Sequence, residues 1–239
     1  SVVSSSIDAA IKEANAVLNR VNPARNAPWD DLRKKYAEWF LPRRGRRYFM
    51  HFDLSKNRDR TGIALVHLEP GEHVVVDFMY AVTAPSGKDI QFAKLREDFI
   101  YPLGTRGFVI ECISYDGFQS EETRQVLEEK GYHTDYCSSD KTTGPYDTLI
   151  ETLSNDRLDF YGHRIFTMEF EELKLINGLR YDHPKKFKNG ETGSKDVADA
   201  VACATFMALK YARENPVEQP GKLRVFPGRA ATFGRSMWE

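Results

Sequence analysis

From Arg47 to Thr83 the sequence changes to a period of two through three apolar-rich segments, RYFMHFDLS, TGIALVHLE and EHVVVDFMYAVT, separated by the polar stretch KNRDR and a Pro70-Gly71 turn. A period of two marks strands, because successive side chains point to opposite faces of a sheet. Connections this short favour antiparallel pairing of consecutive strands. The segment FVIECISY at 108–115 differs: it is almost continuously apolar, as expected of a parallel strand buried on both faces.

The surrounding pattern is helical. Ile7, Ile11, Ala14 and Leu18 recur at spacings of three or four before a break at Asn22-Pro23, and a second helix is expected where Trp29, Leu32, Tyr36 and Phe40 share a face. Helices are expected at Lys88 to Tyr101, Ser120 to Lys130, 145–155, Met168 to Asn177 and Asp196 to Arg213, with short strands at Tyr132 to Tyr136 and at LDFYG. Three strands followed by alternating helices and strands define an α/β chain with a mixed sheet. The reading divides it into a helical linker or junction at 1–46, a domain at 47–213, and a basic tail at 214–239 ordered by a partner if at all.

At 239 residues with 41% hydrophobic content the composition excludes a wholly disordered chain. The net charge of −1 does not favour nucleic acid, so any basic surface must be local. The three cysteines, Cys112, Cys137 and Cys203, form no CxxC pair and fit a reducing compartment. No run approaches the roughly 18 apolar residues that span a bilayer, and no GxxxxGK[ST] loop is present. The expectation is a soluble, intracellular protein without a membrane partner.

Asp53 interrupts a strand that is otherwise apolar, and a buried, unpaired carboxylate there is costly unless it meets a cation or a donor. Taken alone, it reads as a solvated or loop-capping residue. Asp116 ends the buried strand just before Gly117, at the carboxyl edge where α/β sheets expose functional side chains, although Asp-Gly by itself is most often a turn. Asp196 and Asp199 lie three apart on one helix face near its N-terminus, where the dipole favours acids. Gathered on one patch, these carboxylates would repel one another until hard cations, Mg²⁺ or Mn²⁺, neutralised them. Two such ions would activate water and stabilise the departing oxygen of a phosphodiester.

Basic residues flank this set: Arg58 and Arg60, Lys141, then Lys185, Lys186 and Lys188, each suited to phosphates or simply to a solvated loop. Lys195 is expected either to pair with Asp196 or to contact the scissile phosphate. His51, His133 and His183 lack ligand spacing and read as structural.

The strand pair FDLSKNRDRTGIALVHL, the unit ISYDGFQSEETRQVLEEKGY, the K-x-x-G-P-Y-D stretch at 141–147, RIFTMEFEELKLI and the KDVADAVACA helix, in this order, resemble the nuclease domain of the large terminase subunit of tailed bacteriophages. The resemblance covers 47–213 and implies a ribonuclease-H-like fold. It also implies a divalent-metal-dependent endonuclease that cuts concatemeric viral DNA during genome packaging, with little sequence preference. By motif, Asp53 and Asp116 match the first two metal ligands. Many relatives have an acidic pair where this chain has Lys195-Asp196, which makes Asp196 the third ligand and Asp199 its alternative. The implied partners are double-stranded DNA, an N-terminal ATPase domain absent from this sequence, the small terminase subunit and the portal or procapsid, all in the host cytoplasm. The 1–46 segment would then be the junction to the motor.

Other ribonuclease-H-like nucleases, such as junction resolvases or transposases, share the acidic logic and differ in substrate shape. D-L-S-x5-T-G with Y-D-G-F also resembles the phosphate loops of actin-like ATPases and sugar kinases, but that group needs a second such half. A non-catalytic module whose acidic patch binds a partner is the remaining alternative.

Overall fold

A computed structural model describes residues 27–54, 60–84, 88–117 and 120–215. The helix expected around Ile7 to Leu18, Arg58, and the tail beyond 215 lie outside the described residues.

The three period-two segments form strands β3 (Arg47–Leu54), β4 (Arg60–Glu69) and β5 (His73–Thr83), joined in an antiparallel meander. Strand β6 (Val109–Tyr115) pairs in parallel with β3, β7 (Thr134–Tyr136) in parallel with β6, and β8 (Leu158–Asp159) in parallel with β5. The resulting six-stranded order, β7-β6-β3-β4-β5-β8, is the mixed sheet of a ribonuclease-H-like fold.

Helices close both faces. Helix α1 runs through Phe92–Leu95, a π-helical turn at Arg96–Ile100, and Tyr101–Thr105. It is followed by α2 (Glu121–Glu129), α3 (Gly144–Ser154), α4 (Arg164–Glu171) and α5 (Asp196–Glu214). Phe49, Ala64, Val66 and Val76 face α3, α4 and α5, whereas Tyr48, Met50, Phe52, Ile63 and Leu65 face α1, α2 and the N-terminal segment. The alternation along β3 therefore directs Asp53 to the α5 side. Small buried residues on α5, including Ala198, Ala200, Val201, Ala202 and Ala204, let that helix lie close against the sheet.

Two expectations are corrected. Residues 27–40 are not a helix: β1 (Trp29–Asp30) and β2 (Lys35–Tyr36) form an antiparallel hairpin. The Asp30 carboxylate accepts from the N–H groups of Leu32 and Arg33, at 3.0 Å each, and so competes with helix formation. Trp29, Tyr36 and Phe40 are buried as expected, but Leu32 at the hairpin tip is 97% exposed. Likewise, Met168 to Asn177 is not one helix. Helix α4 ends at Glu171, and β9 (Lys174–Ile176) and β10 (Arg180–Asp182) make a second hairpin. Its turn places Asn177 at φ 53° and Gly178 at φ 71°, the Asn-Gly chemistry of tight hairpins.

The N-terminal hairpin is tied down by one side chain. The Arg106 guanidinium donates to the carbonyls of Tyr36 (2.8 Å), Ala37 (2.6 Å) and Phe40 (2.9 Å). Arg106→Met should cost roughly 1.5–3 kcal/mol in urea unfolding. It should also speed tryptic cleavage at Lys34 and Lys35; unchanged proteolysis would show that the hairpin is held by aromatic packing alone.

Candidate active site

Parallel pairing of β3 with β6 brings Phe52 opposite Tyr115, so Asp53 and Asp116 leave adjacent strands at the same edge. The Leu54 N–H donates to Asp116 Oδ1 at 3.1 Å and links the two strand ends. On its other side Asp53 pairs with Gly62 of β4. A Cβ at Gly62 would lie 1.8 Å from the Asp196 carbonyl oxygen, so the missing side chain is what lets the N-terminus of α5 rest on β4 beside Asp53. Glu169 of α4 holds that terminus: it accepts from the Ala198 N–H at 2.9 Å and from the Ser194 hydroxyl at 2.5 Å. This cap satisfies a donor that a helix start otherwise leaves open.

The four aspartates singled out in the sequence interact. Burial drives the Asp53 carboxyl well above its usual range, and Asp199, Asp116 and Asp196 push it further, with Lys195 opposing. Asp53 is only 8% exposed, and no hydrogen-bond donor among the described residues meets its carboxylate. Burial raises Asp116 to about 6, against the stabilising N–H of Leu54. Asp196 is raised by burial, opposed by Arg60, whose Nε lies 3.7 Å from Asp196 Oδ2. Asp199 is raised by burial, opposed by Lys195 and by the Tyr146 hydroxyl, which donates to Asp199 Oδ1 at 2.6 Å. Glu169 rises to about 7, again mainly through burial.

Lys195 pairs with Asp199 and with Asp140, the latter at 2.9 Å, rather than with Asp196. Burial disfavours its charge, but Asp199 and Asp140 outweigh that and hold the ammonium protonated. Arg60 donates to the Ser194 hydroxyl at 2.8 Å and so borders the cluster. Lys141 lines an open cleft of about 310 Å³ with Asp116, Tyr136, Phe206 and Lys210. Lys185, Lys186 and Lys188 are exposed on the loop between β10 and α5. His51 is buried, its Nδ1 bonded to the Ser114 hydroxyl at 2.8 Å.

Among the described residues no three Asp, Glu, His or Cys side chains stand ready to hold a metal ion. The carboxylates have protein partners instead: Asp116 accepts from Leu54, Asp196 lies beside Arg60, and Asp199 meets Lys195 and Tyr146. The donor chemistry nevertheless fits a hard divalent cation, because Asp53 is a buried carboxylate with no donor among the described residues and three more carboxylates act on it.

Gly62, Tyr146, Glu169 and Asp140 escaped the sequence reading of the site. A glycine inside a strand and a charge beside Phe166 and Phe170 on an apolar helix face were the available signals for two of them. Among the described residues no helix is long and apolar enough to cross a membrane.

No known family profile matches the chain, and no curated protein sequence matches it. Solved structures do. The large terminase of bacteriophage HK97 superimposes with a TM-score of 0.55 at 16% identity over 70% of this chain. The large terminase nuclease from thermophilic phage G20c gives 0.56 at 11% identity, covering 80% of this chain and 96% of that one. The magnesium-bound form of the G20c nuclease gives 0.53 at 13% identity, covering 80% and 95%. The chain spans 41% of the HK97 large terminase. Its fold is that of the phage large-terminase nuclease domain.

Proposed function

From that fold and its gathered carboxylates, we propose that the chain is a divalent-metal-dependent endonuclease that cuts viral DNA during genome packaging. The observation that carries this reading is Asp53, a buried carboxylate without a donor, acted on by Asp199, Asp116 and Asp196. An arrangement that is unfavourable in the free protein becomes favourable once a cation is bound.

Asp53, Asp116 and Asp196 would hold the cation, and oxygen-only donors suit Mg²⁺ or Mn²⁺. When bound, such an ion supplies Lewis-acid stabilisation of charge on a phosphodiester and lowers the pKa of water. The protein's own part is to fix the carboxylates on a rigid strand pair and a capped helix, where burial and mutual repulsion raise their pKa values until a cation is bound. Arg60 and Lys141 would meet the phosphates flanking the scissile bond, with Lys185, Lys186 and Lys188 further along the duplex. These contacts read charge rather than bases, so affinity should fall with salt and sequence choice should be relaxed. In the complete packaging machine an ATPase domain, a small terminase subunit and a portal or procapsid would be its partners in the host cytoplasm.

The decisive experiment incubates the purified protein with supercoiled plasmid and Mg²⁺ or Mn²⁺, with and without EDTA. Nicked and linear products that vanish with EDTA are expected. No cleavage with either ion, at any salt concentration that permits DNA binding, would overturn the assignment.

Metal binding should also be visible in stability. The carboxyls of Asp53, Asp116 and Asp196 have folded pKa values above their unfolded ones, so they favour the fold below about pH 4 and this contribution is lost as pH rises through about 6 for Asp116. Divalent ions should therefore raise the Tm more at pH 8 than at pH 5. At a hundredfold excess over Kd the gain at pH 8 should be about 5–10 °C. An equal shift at both pH values would show that the ions bind elsewhere.

A further inference from the structure

The Lys195 ammonium lies within the acidic cluster, not at its rim: its side chain is only 11% exposed and it bridges Asp199 and Asp140, with Ser139 Oγ at 3.5 Å. Asp199 is further committed by the Tyr146 hydroxyl on its other oxygen. Around Asp53, Asp116 accepts a backbone N–H on Oδ1 and Asp196 has Arg60 3.7 Å from Oδ2, which leaves these two and Asp53 itself, without a Lys partner, for a mobile cation. That set is enough for one hard ion completed by water or phosphate oxygens. A second ion would need Asp199 or Asp140, and the ammonium holds both. It would also have to sit close to a fixed positive charge, and like charges a few ångströms apart repel strongly in a partly buried site, where water screens them little.

We propose that Lys195 is a tethered cation occupying the place a second divalent ion would take, so that this centre binds a single metal ion. The inference rests on reading the cluster as a divalent-metal site. It assigns Lys195 a positioning role: by neutralising Asp199 and Asp140 it leaves a three-carboxylate ligand set and removes the need for a further ion.

The test counts Mn²⁺ bound by the full chain, from the EPR signal of free ion at saturation. One ion per chain is expected for the parent and for Lys195→Arg, which keeps the charge. Two are expected for Lys195→Met, which keeps the apolar stem and frees Asp199 and Asp140. Asp199→Asn should still bind one ion. Two ions on the parent, a single ion on folded Lys195→Met, or none on folded Asp199→Asn would each overturn the inference while leaving the nuclease reading intact. A parent that binds no ion would overturn both. If Lys195→Met fails to fold, the parent count and Asp199→Asn still decide the matter.

Discussion

Asp53→Asn is expected to lower DNA cleavage by at least about 10²-fold, the cost of losing one oriented charge-stabilising group, while raising the Tm of the metal-free protein at pH 8. The two effects have one origin. Asp53 sits in a strand buried on both sides, has no donor among the described residues, and is surrounded by Asp199, Asp116 and Asp196. In the metal-free protein its negative charge opposes folding, because a folded pKa raised above the unfolded value penalises the ionised form at high pH. An asparagine of nearly the same shape removes that charge. The gain should be on the order of 1–3 kcal/mol at pH 8 and should vanish near pH 4, where the aspartate is already protonated. Divalent ions should then stabilise Asp53→Asn far less than the parent. A variant that is less stable than the parent at pH 8 without metal, yet still cuts DNA at the parent rate, would show that Asp53 is an ordinary structural residue.

The second large effect is expected from a methyl group. In Gly62→Ala the new Cβ would fall 1.8 Å from the Asp196 carbonyl oxygen and 2.9 Å from the Val197 nitrogen. Both are backbone atoms, so no side-chain rotation relieves the contact and the first turn of α5 must move away from β4. Overpacking of this kind costs about 1–3 kcal/mol. The functional loss should be greater, because Asp196 and Asp199 travel with the helix, and misplacing a reacting constellation by about 1 Å can cost 10²-fold in rate. Circular dichroism should report an intact fold while cleavage falls about 100-fold. Parent-like cleavage together with a parent-like Tm would mean that the helix does not rest on Gly62.

Glu169 provides a pH signature of the same junction. Its carboxyl, raised to about 7 mainly by burial, accepts from Ala198 and Ser194 at the start of α5. Because its folded pKa lies above its unfolded one, Glu169 favours the fold at acid pH and this contribution is lost as pH rises through about 7. The α5 cap thus adds to the preference of the metal-free protein for acid that the aspartates establish.

Much of this architecture could be read before any coordinates. The period-two runs of β3 to β5 and the continuous apolar run of β6 stated which segments pair and which is buried on both faces, since strand patterning follows from local side-chain alternation. Asp53 and Asp116 stood out because a charge within or ending such a run needs a reason, and Asp196 because it opens a helix. What local pattern could not decide were features set by distant partners. Trp29 and Tyr36 have helical spacing, yet Asp30 closes a turn between them and the core aromatic Phe99 receives the Tyr36 hydroxyl at its carbonyl. The stretch after α4 bends into a hairpin at Asn177-Gly178 although its apolar residues also suit a helix. The sequence alone therefore determined the strands of the six-stranded sheet and named the acids, because both depend on neighbours along the chain. Only the tertiary structure decided that α5 crosses β4 at a glycine, that Lys195 turns to Asp199 and Asp140, and that Tyr146 and Glu169 support the cluster, because those contacts join residues tens of positions apart whose energies exist only once the sheet has brought them together.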